Sequence, residues 1–291
     1  MHALAAVLAI VRLKQIALPL SAEMPMAEQA EQQRIAGATF LLSAGGLRSP
    51  PPRASASKLI NQLSARGHAG LILFSSGTSG EPKGMLHDLN GLLERYREVR
   101  PRSDCTVQLL LADHIGGLDS AFRTLFSGST LVVPEARSPV AVGEAVERYN
   151  VNILPASPTF LNLMLLAHVA EKFDCSSLEV IAYGAEPMSA RLLRRLVEAF
   201  PSAAFQQKFG TSETGAIRIK SQSTDSVYFR IEDSGVEWRV QDQELWLKTS
   251  SRVLGYLNAD ESSLEADGWY RTGDLVEEAE GGYLRIIGRR S

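Results

Sequence analysis

The ten residues SSGTSGEPKG form the part of the chain that is densest in groups able to bind phosphate. They are Ser75, Ser76, Gly77, Thr78, Ser79, Gly80, Glu81, Pro82, Lys83 and Gly84. Glycine permits backbone turns that other residues cannot make, and lysine supplies a point charge that suits phosphate. A strand that enters such a loop, with a helix after it, would present backbone amides to an anion. The stretch therefore predicts a phosphate-binding loop rather than an ordinary polar surface loop.

Two familiar catalytic patterns do not fit the chain. A Walker A loop needs Gly directly before its Lys and Ser or Thr directly after it, whereas Pro82 precedes Lys83 and Gly84 follows it. The stretch GTSET at 210–214 imitates a serine-hydrolase pattern, but Thr stands where the last Gly belongs. The histidines and the two cysteines form no cluster with metal-ligand spacing. Reduced, partly buried thiols are expected at Cys105 and Cys175.

Composition limits the class of protein. The chain has 291 residues, of which 45% are hydrophobic and 22% charged, enough for one large globular domain or two ordinary ones. A net charge of -3 gives no electrostatic reason to expect nucleic acid or an anionic membrane as a partner.

The chain starts with an apolar stretch, MHALAAVLAIVRLKQIALPL, which is similar in character to a signal peptide or a membrane span. A signal peptide places its positive charge before the apolar run, whereas Arg12 and Lys14 come after it. The same charges interrupt the run before it reaches membrane-spanning length. We predict a buried helix and then a short strand at Gln15–Leu20, no membrane span, and a cytoplasmic location.

The elements that would position the phosphate loop alternate along the first two thirds of the chain. Strands are predicted at Thr39–Ser43, Gly70–Ser75, Thr106–Leu111, Thr130–Val133, Val151–Leu154, Leu178–Tyr183 and Ala204–Phe209. Helices are predicted at Asn90–Val99, Gly117–Phe126, Val140–Asn150, Thr159–Glu171 and Ser189–Ala199. Most of the strands are near-continuous apolar runs, as in strands covered on both faces. We therefore predict an α/β fold of layered, mainly parallel sheets with helices.

The pattern changes after Gly215. Short alternating segments follow, at Val227–Ile231, Val236–Val240, Glu244–Thr249 and Tyr283–Ile287, without a convincing helix. We expect an α/β core over 1–215 and a small β-rich subdomain over 216–291. Within the core, Ala44–Ser57 contains three consecutive prolines, which exclude helix, and it is expected to be a mobile connector.

Further motifs follow the phosphate loop in order, and together they resemble the adenylate-forming (AMP-binding) enzyme superfamily. SSGTSGEPKG closely matches the phosphate-binding signature of that superfamily, which comprises acyl- and aryl-CoA synthetases, adenylation domains of peptide synthetases, and luciferases. The other motifs are LLADHIGGL (110–118), ILPASPTFLNLML (153–165), YGAEPMS (183–189), KFGTSETG (208–215), GYLNADES (255–262), DGWYRTGD (267–274) and GGYLRIIGRRS (281–291). The resemblance covers nearly the whole chain.

The resemblance implies that a carboxylic acid, aryl or fatty, reacts with ATP to give an acyl-adenylate and pyrophosphate. The acyl group would then pass to the thiol of CoA or of a phosphopantetheinyl carrier. The implied catalytic residues are Lys83, Ser212, Glu213 and His114, with Glu213 as the ligand of Mg²⁺. The implied nucleotide-binding residues, besides the phosphate loop, are Gly184, Ala185, Glu186, Phe209, Asp274 and Arg289. The implied acyl pocket contains His114, Gly117, Gly210 and Thr211.

Several of these residues have structural alternatives that the sequence leaves open. Phe209 would stack on adenine, pack on the turn at Gly184–Pro187, or belong to the core. His114 would lie at the mouth of the carboxylate site or serve as a core or capping residue. Asp274 would accept hydrogen bonds from the ribose hydroxyls or be a turn aspartate, and Arg289 would reach the ribose or remain in solvent.

Two functions follow from the resemblance. In the family, a C-terminal domain supplies a lysine that contacts the carboxylate during adenylation, and GGYLRIIGRRS resembles the approach to the hinge before that domain. The chain is expected to be the core of an acid–AMP-forming ligase, completed by a C-terminal domain or a carrier protein in trans. The alternative is a non-catalytic subunit that binds nucleotide or acyl-adenylate. Lys83, Glu213 and Asp274 together favour the ligase, since a remnant has no reason to keep all three.

Overall fold

The computed structural model describes residues 2–49, 57–75, 81–249, 253–259 and 267–290. The helices are α1 (His2–Leu13), α2 (Met26–Ala36), α3 (Lys58–Ala65), α4 (Leu89–Glu94), α5 (Ile115–Phe126), α6 (Pro139–Tyr149), α7 (Pro158–Leu166), α8 (Val169–Lys172) and α9 (Ala190–Ala199). The first strands are β1 (Ile16–Ala17), β2 (Leu41–Ser43), β3 (Gly46–Arg48), β4 (Gly70–Ser75), β5 (Lys83–Asp88), β6 (Cys105–Val107), β7 (Thr130–Val132), β8 (Ile153–Ala156), β9 (Val180–Tyr183) and β10 (Ala204–Gln207). The remaining strands are β11 (Phe209–Thr211), β12 (Gly215–Ile217), β13 (Ile219–Ser221), β14 (Phe229–Ile231), β15 (Val236–Gln241), β16 (Glu244–Thr249), β17 (Gly255–Tyr256), β18 (Tyr270–Ala279) and β19 (Tyr283–Arg289).

A five-stranded parallel sheet forms the centre of the fold, with the order β10-β9-β8-β6-β7. Helices α6, α7 and α9 contribute buried side chains to the same core as its strands. Each of these helices begins after a serine whose hydroxyl accepts a backbone N–H, and these caps are Ser138, Ser157 and Ser189. Such caps satisfy donors that a helix start would leave unpaired. The predicted α/β fold with a parallel sheet is confirmed.

A second sheet holds the strands on both sides of the candidate phosphate loop, in the order β1-β4-β5-β17. The sequence predicted the next helix at Asn90–Val99 and no strand before it, whereas the structure has a strand between the loop and a shorter helix, α4, at Leu89–Glu94. The chain instead returns as β5, antiparallel to β4, with Ser75 opposite Lys83. Residues 84–87 are buried between β4 and β17, and helix α4 begins only after Asp88, whose carboxylate accepts the Gly91 N–H.

The β-rich subdomain is a six-stranded antiparallel sheet with the order β13-β14-β19-β18-β16-β15. Its own apolar core includes Phe229, Leu245, Leu247 and Leu284. Within the described residues, the helical turn of this region is the short 3₁₀ segment Glu280–Gly282.

The connector predicted at Ala44–Ser57 contains regular structure. Strands β2 and β3 pair as an antiparallel hairpin, so residues 46–48 are extended and paired. The strand predicted at Thr39–Ser43 therefore belongs to this hairpin rather than to a parallel sheet. The prolines of the connector, at 50–52, lie outside the described residues. Across the described ranges, no helix combines the length and the hydrophobicity that a membrane span requires.

Helix α5 packs closely against the turn that precedes it. A side-chain carbon added at Gly117 would lie 1.9 Å from the carbonyl oxygen of Leu111, so glycine is required at this buried position. The neighbouring Gly116 is exposed, and an added carbon there would meet no atom within 4 Å. Two adjacent glycines of one helix thus have opposite environments.

We predict that Gly117→Ala destabilises the protein by at least about 1–3 kcal/mol, because the new methyl group would force the backbone at Leu111 to move. Gly116→Ala is the matched control. It should leave the free energy of unfolding unchanged or raise it by about 0.5–1 kcal/mol, because alanine favours helix over glycine. Urea denaturation of the two variants gives the comparison. Equal stabilities would show that the contact between α5 and Leu111 is not tight.

Candidate functional site

Glu213 lies where three separate parts of the chain meet. Its carboxylate accepts a 2.8 Å hydrogen bond from the Tyr256 hydroxyl of β17 and a second one from Tyr270 of β18. Its carbonyl oxygen accepts the Val253 N–H at 2.7 Å. Burial, together with the Glu213 charge, raises the pKa of Tyr270, which therefore stays a hydroxyl and a donor. The half-buried Glu213 side chain is thus held in one orientation by two tyrosine hydroxyls.

The turn that presents Ser212 and Glu213 is closed by two buried threonines. The Thr211 hydroxyl accepts the Thr214 N–H at 3.1 Å, and the Thr214 hydroxyl accepts the Thr211 N–H at 3.3 Å. At the base of the hairpin, a side-chain carbon at Gly210 would lie 2.3 Å from the Gly215 carbonyl oxygen. Because β11 and β12 approach each other so closely, Gly210 and Thr211 shape this turn, and Ser212 lies half-buried near its tip.

Asp274 lies across the β18–β19 ladder from Arg289, as its direct neighbour. Its carboxyl is half-buried, and burial raises its pKa to about 6. The positive charge of Arg289 opposes this rise, whereas the carboxylates of Glu213 and Glu244 add to it. Asp274 and Glu213, far apart in sequence, are therefore close enough for their charges to interact.

A buried carboxylate at Glu244 fixes the backbone around Asp274. Its oxygens accept the Gly273 N–H at 3.0 Å and lie 3.2 Å from the Arg271 guanidinium and 3.3 Å from that of Arg290. Gly273 has a φ of 75°, in the left-handed region that favours glycine. The motif TGD thus has a structural reason for its glycine.

The base of the phosphate loop is clamped by the segment that carries Tyr256. The Asn258 side chain accepts the Gly84 N–H at 3.0 Å and donates to the Pro82 carbonyl at 2.9 Å. Ser75 and Lys83, at the two ends of the loop, are half-buried and paired. Residues 76–80, and with them Ser76, Gly77, Thr78, Ser79 and Gly80, lie outside the described residues.

The turn predicted to bind adenine follows β9. A side-chain carbon at Gly184 would lie 2.6 Å from the Lys208 carbonyl oxygen, and Ala185 has a φ of 68°, which is rare for alanine. The Glu186 carboxylate bonds the backbone N–H and the hydroxyl of Thr159, at the start of α7. Glu186 therefore has a helix-capping role in addition to the nucleotide contact predicted for it.

Two predicted site residues, Phe209 and Gly117, do not line an open site, and a third, His114, is neither buried nor capping through its side chain. The Phe209 ring is 7% exposed and stacks on Phe229 with 5.4 Å between ring centroids, so it is a core residue and not an open platform for adenine. Gly117 faces backbone rather than a cavity, which corrects its predicted place in the acyl pocket. His114 is exposed at the N-cap of α5 and makes no capping bond with its side chain.

Sequence reasoning missed the residues that surround Glu213. Tyr256 and Tyr270 lie in GYLNADES and DGWYRTGD, so the motifs marked the segments but not these hydroxyls. His87 of β5 is buried, which lowers its pKa to about 4, and the Glu213 charge acts against that shift. His87 is therefore neutral at neutral pH. Its proximity to Glu213 could not be read from the sequence.

The donors at this site fit a magnesium ion only in the presence of a phosphate ligand. Among the described residues, no three His, Cys, Asp or Glu side chains are grouped so as to hold a metal ion. Mg²⁺ typically takes one or two carboxylates and completes its shell with water and substrate phosphates. Glu213 provides one such carboxylate, so the arrangement suits a metal bound together with a nucleotide.

The comparisons with curated proteins point to CoA ligases. The chain is 28% identical over 249 residues to probable CoA ligase CCL5 of Humulus lupulus. The aligned region covers 75% of this chain and 45% of that protein. It is 30% identical over 253 residues to peroxisomal OPC-8:0-CoA ligase 1 of Arabidopsis thaliana, again 75% and 45% of the two chains. The chain thus spans about half the length of the curated relatives it matches.

Solved structures show the same fold. The N-terminal domain of FACL13 from Mycobacterium tuberculosis matches with a TM-score of 0.72, 19% identity, and coverage of 94% of this chain and 80% of that one. The O-succinylbenzoate coenzyme A synthetase of Bacillus subtilis, in complex with AMP, matches with a TM-score of 0.71 and 20% identity over 99% and 83% of the chains. The sequence model of the family described as "AMP-binding enzyme" matches residues 1–246. Because that match spans most of the sequence, the chain belongs to the AMP-binding enzyme family.

Proposed function

We propose that this chain activates a carboxylic acid with ATP to an acyl-adenylate and releases pyrophosphate, as the first half-reaction of an acyl- or aryl-CoA ligase. The observation that carries the proposal is the convergence of Glu213, Asp274 and the segment Pro82–Gly84 at the end of the phosphate loop. Tyr256, Tyr270 and Asn258 connect these parts through hydrogen bonds. The names of the curated relatives, which are CoA ligases, support the same reaction class.

The proposed chemistry is mainly a problem of bringing negative charges together. An acid must approach a triphosphate, so the site must neutralise charge and fix geometry. Mg²⁺ would screen the phosphates of ATP, and Glu213, held by Tyr256 and Tyr270, is the residue we assign to it. Lys83 and the Ser212 hydroxyl are assigned to the phosphates. Asp274, with Arg289 beside it, is assigned to the ribose, since a carboxylate accepts hydrogen bonds from two hydroxyls.

The second half-reaction is part of the proposal. The acyl group would pass to the thiol of CoA or of a phosphopantetheinyl carrier, as the names of the CoA ligase relatives suggest. A C-terminal domain or a carrier protein acting in trans would be the partner for this transfer. Aryl and fatty acids are the substrates with which we would begin, and His114, at the start of α5, is assigned to the entrance for the acid.

The exchange of labelled pyrophosphate into ATP, measured with a panel of carboxylic acids, tests the proposal. Acid-dependent exchange supports adenylation and needs no thiol acceptor. Nucleotide binding without exchange, for any acid, would overturn it in favour of a non-catalytic subunit that binds nucleotide or acyl-adenylate.

We predict that Asp274→Ala weakens nucleotide binding by about ten- to a hundredfold, since a charged hydrogen bond contributes about 1.5–3 kcal/mol. Glu278→Gln is the matched control, because this acid is exposed on the same strand, β18. Calorimetry with ATP should show the loss in the first variant and none in the second. Equal affinities would refute the ribose assignment.

The raised pKa of Asp274 predicts a stability effect with a defined direction. The Asp274 carboxyl of the folded protein binds its proton more tightly than the same carboxyl of the unfolded chain, whose pKa is near 3.8. The free energy of unfolding that this carboxyl contributes therefore falls as the pH rises from about 4 to about 6. Asp274→Asn removes the ionised form. We expect it to raise the free energy of unfolding by about 1–3 kcal/mol at pH 8 and to have little effect at pH 3.5. A gain that is the same at both pH values would contradict the assignment.

We predict that Glu213→Gln lowers the rate of pyrophosphate exchange by about 10²–10³, the typical effect of removing one preorganised electrostatic group. The affinity for ATP should change much less, because the charge matters most as pyrophosphate leaves. Glu198→Gln, on the exposed face of α9, is the control. An unchanged rate in the Glu213 variant would show that this carboxylate does not hold the metal.

A further inference from the structure

Asn258 forms hydrogen bonds on both sides of Lys83. Its side-chain oxygen accepts the Gly84 N–H at 3.0 Å, and its side-chain nitrogen donates to the Pro82 carbonyl at 2.9 Å. The N–H belongs to the peptide group that follows Lys83, and the carbonyl belongs to the peptide group that precedes it. One side-chain amide therefore contacts both peptide groups that flank the α-carbon of Lys83.

These two contacts determine the direction in which the lysine side chain leaves the backbone. Each residue has two soft backbone dihedrals, and the peptide planes on its two sides define them. Lysine has a flexible four-carbon stem, so the region that its amine can reach depends on where the Cα–Cβ bond points. Lys83 is the first residue of β5, and its pairing with Ser75 is the last pair of the β4–β5 ladder. Asn258 thus supports Lys83 at the point where the ladder ends.

The side chain of Asn258 takes the place of a peptide group in a strand. Strand β17 pairs with β5, and just after β17 the Leu257 N–H donates to the Gly84 carbonyl at 2.8 Å. The next partner along β5 is Pro82, which has no N–H and can offer only its carbonyl. An asparagine side chain carries both a donor and an acceptor. It can therefore bond the Pro82 carbonyl and the Gly84 N–H at the same time.

The same segment also holds Glu213. The Val253 N–H donates to the Glu213 carbonyl at 2.7 Å, and the Tyr256 hydroxyl donates to the Glu213 carboxylate at 2.8 Å. Tyr256 lies directly opposite Met85 in the pairing of β17 with β5. Met85 and Lys83 are alternate residues of β5, so they share one face of the sheet. Lys83 is therefore on the face that carries Tyr256, the residue that bonds Glu213.

We propose that Asn258 is a positioning residue, which orients Lys83 toward the phosphates of ATP and holds it in a set position relative to Glu213. This inference rests on the proposed function, because that function assigns Lys83 to the phosphates and Glu213 to Mg²⁺. Asn258 acts through the backbone of Lys83 and not by touching the nucleotide. Its effect on binding therefore requires both phosphates on the ligand and the amine of Lys83 on the protein.

A double-mutant cycle tests whether Asn258 acts through Lys83. Asn258→Leu removes both hydrogen bonds and keeps a branched side chain, Lys83→Met removes the amine, and the double variant combines the two changes. Calorimetry gives the affinity of each protein for ATP with Mg²⁺ and for adenosine, which has no phosphates. Asn61→Leu, at an exposed asparagine of α3, is the matched control. Urea denaturation shows that each variant is folded.

We expect Lys83→Met to weaken ATP binding about ten- to a hundredfold, as the loss of a charged hydrogen bond would. Asn258→Leu should weaken it about three- to thirtyfold, because its two bonds are neutral and Asn258 is exposed to solvent. In the Lys83→Met protein, Asn258→Leu should have no further effect, since the group that it positions is gone. The affinity for adenosine should be the same in all the proteins, and Asn61→Leu should bind ATP like the parent.

Additive losses in the double variant would overturn this inference, and so would an Asn258→Leu protein that binds ATP like the parent. Both results would leave the proposed function intact. An equal loss of adenosine affinity would also overturn the inference, because it would show a general structural effect of the substitution. If the parent protein does not bind ATP, the proposed function itself fails.

Discussion

The structure is dominated by one electrostatic constraint, the proximity of several carboxylates in a partly buried seam. Glu213 and Glu244 both act on Asp274, whose pKa is raised to about 6 primarily by burial. Each acid is stabilised by groups from other segments. Tyrosine hydroxyls donate to Glu213, and a backbone N–H and two guanidinium groups contact Glu244. The charge of Arg289 stabilises the ionised form of Asp274. Such a cluster makes the folded state less stable than it could be. In the proposed function, the seam would accept a cation at Glu213 and hydroxyl donors at Asp274.

Sequence patterns predicted those strands and helices whose buried residues form a regular apolar pattern within a single segment of the chain. The strands of the parallel sheet are apolar runs, and the serine-capped helices between them have regular apolar spacing. Helix α2, MAEQAEQQRIA, was missed because it is mostly polar, and its buried residues are Gln32 and Ala36. Strand β18, YRTGDLVEEA, was missed because charges and a glycine interrupt its alternation. Strand β5 was missed because KGMLHD is too short to distinguish strand from helix start, and β4 and β17 determine its conformation.

The candidate site shows a similar division. Resemblance proposed Glu213, Asp274 and Lys83, because their motifs are local and specific. It did not identify which neighbours hold these residues in place, since Tyr256 and Tyr270 reach Glu213 only through the pairing of distant strands. The resemblance also could not distinguish a residue that packs in the core from one that contacts a ligand. Phe209, for example, belongs to a motif and also to the core of the β-rich sheet. Tertiary packing decided those cases.

The bonds between Asn258 and the base of the phosphate loop have a consequence for the order of folding. They join residues 174 and 176 positions apart, one of the longest separations among the side-chain contacts of the site. Loop closure over such a distance costs entropy before the contact stabilises anything. During synthesis, strands β4 and β5 would form a local hairpin early, and their edge beside β17 would stay unpaired until most of the chain had left the ribosome. Until β17 pairs with it, that edge of β5 is open to mispairing and to recognition by chaperones.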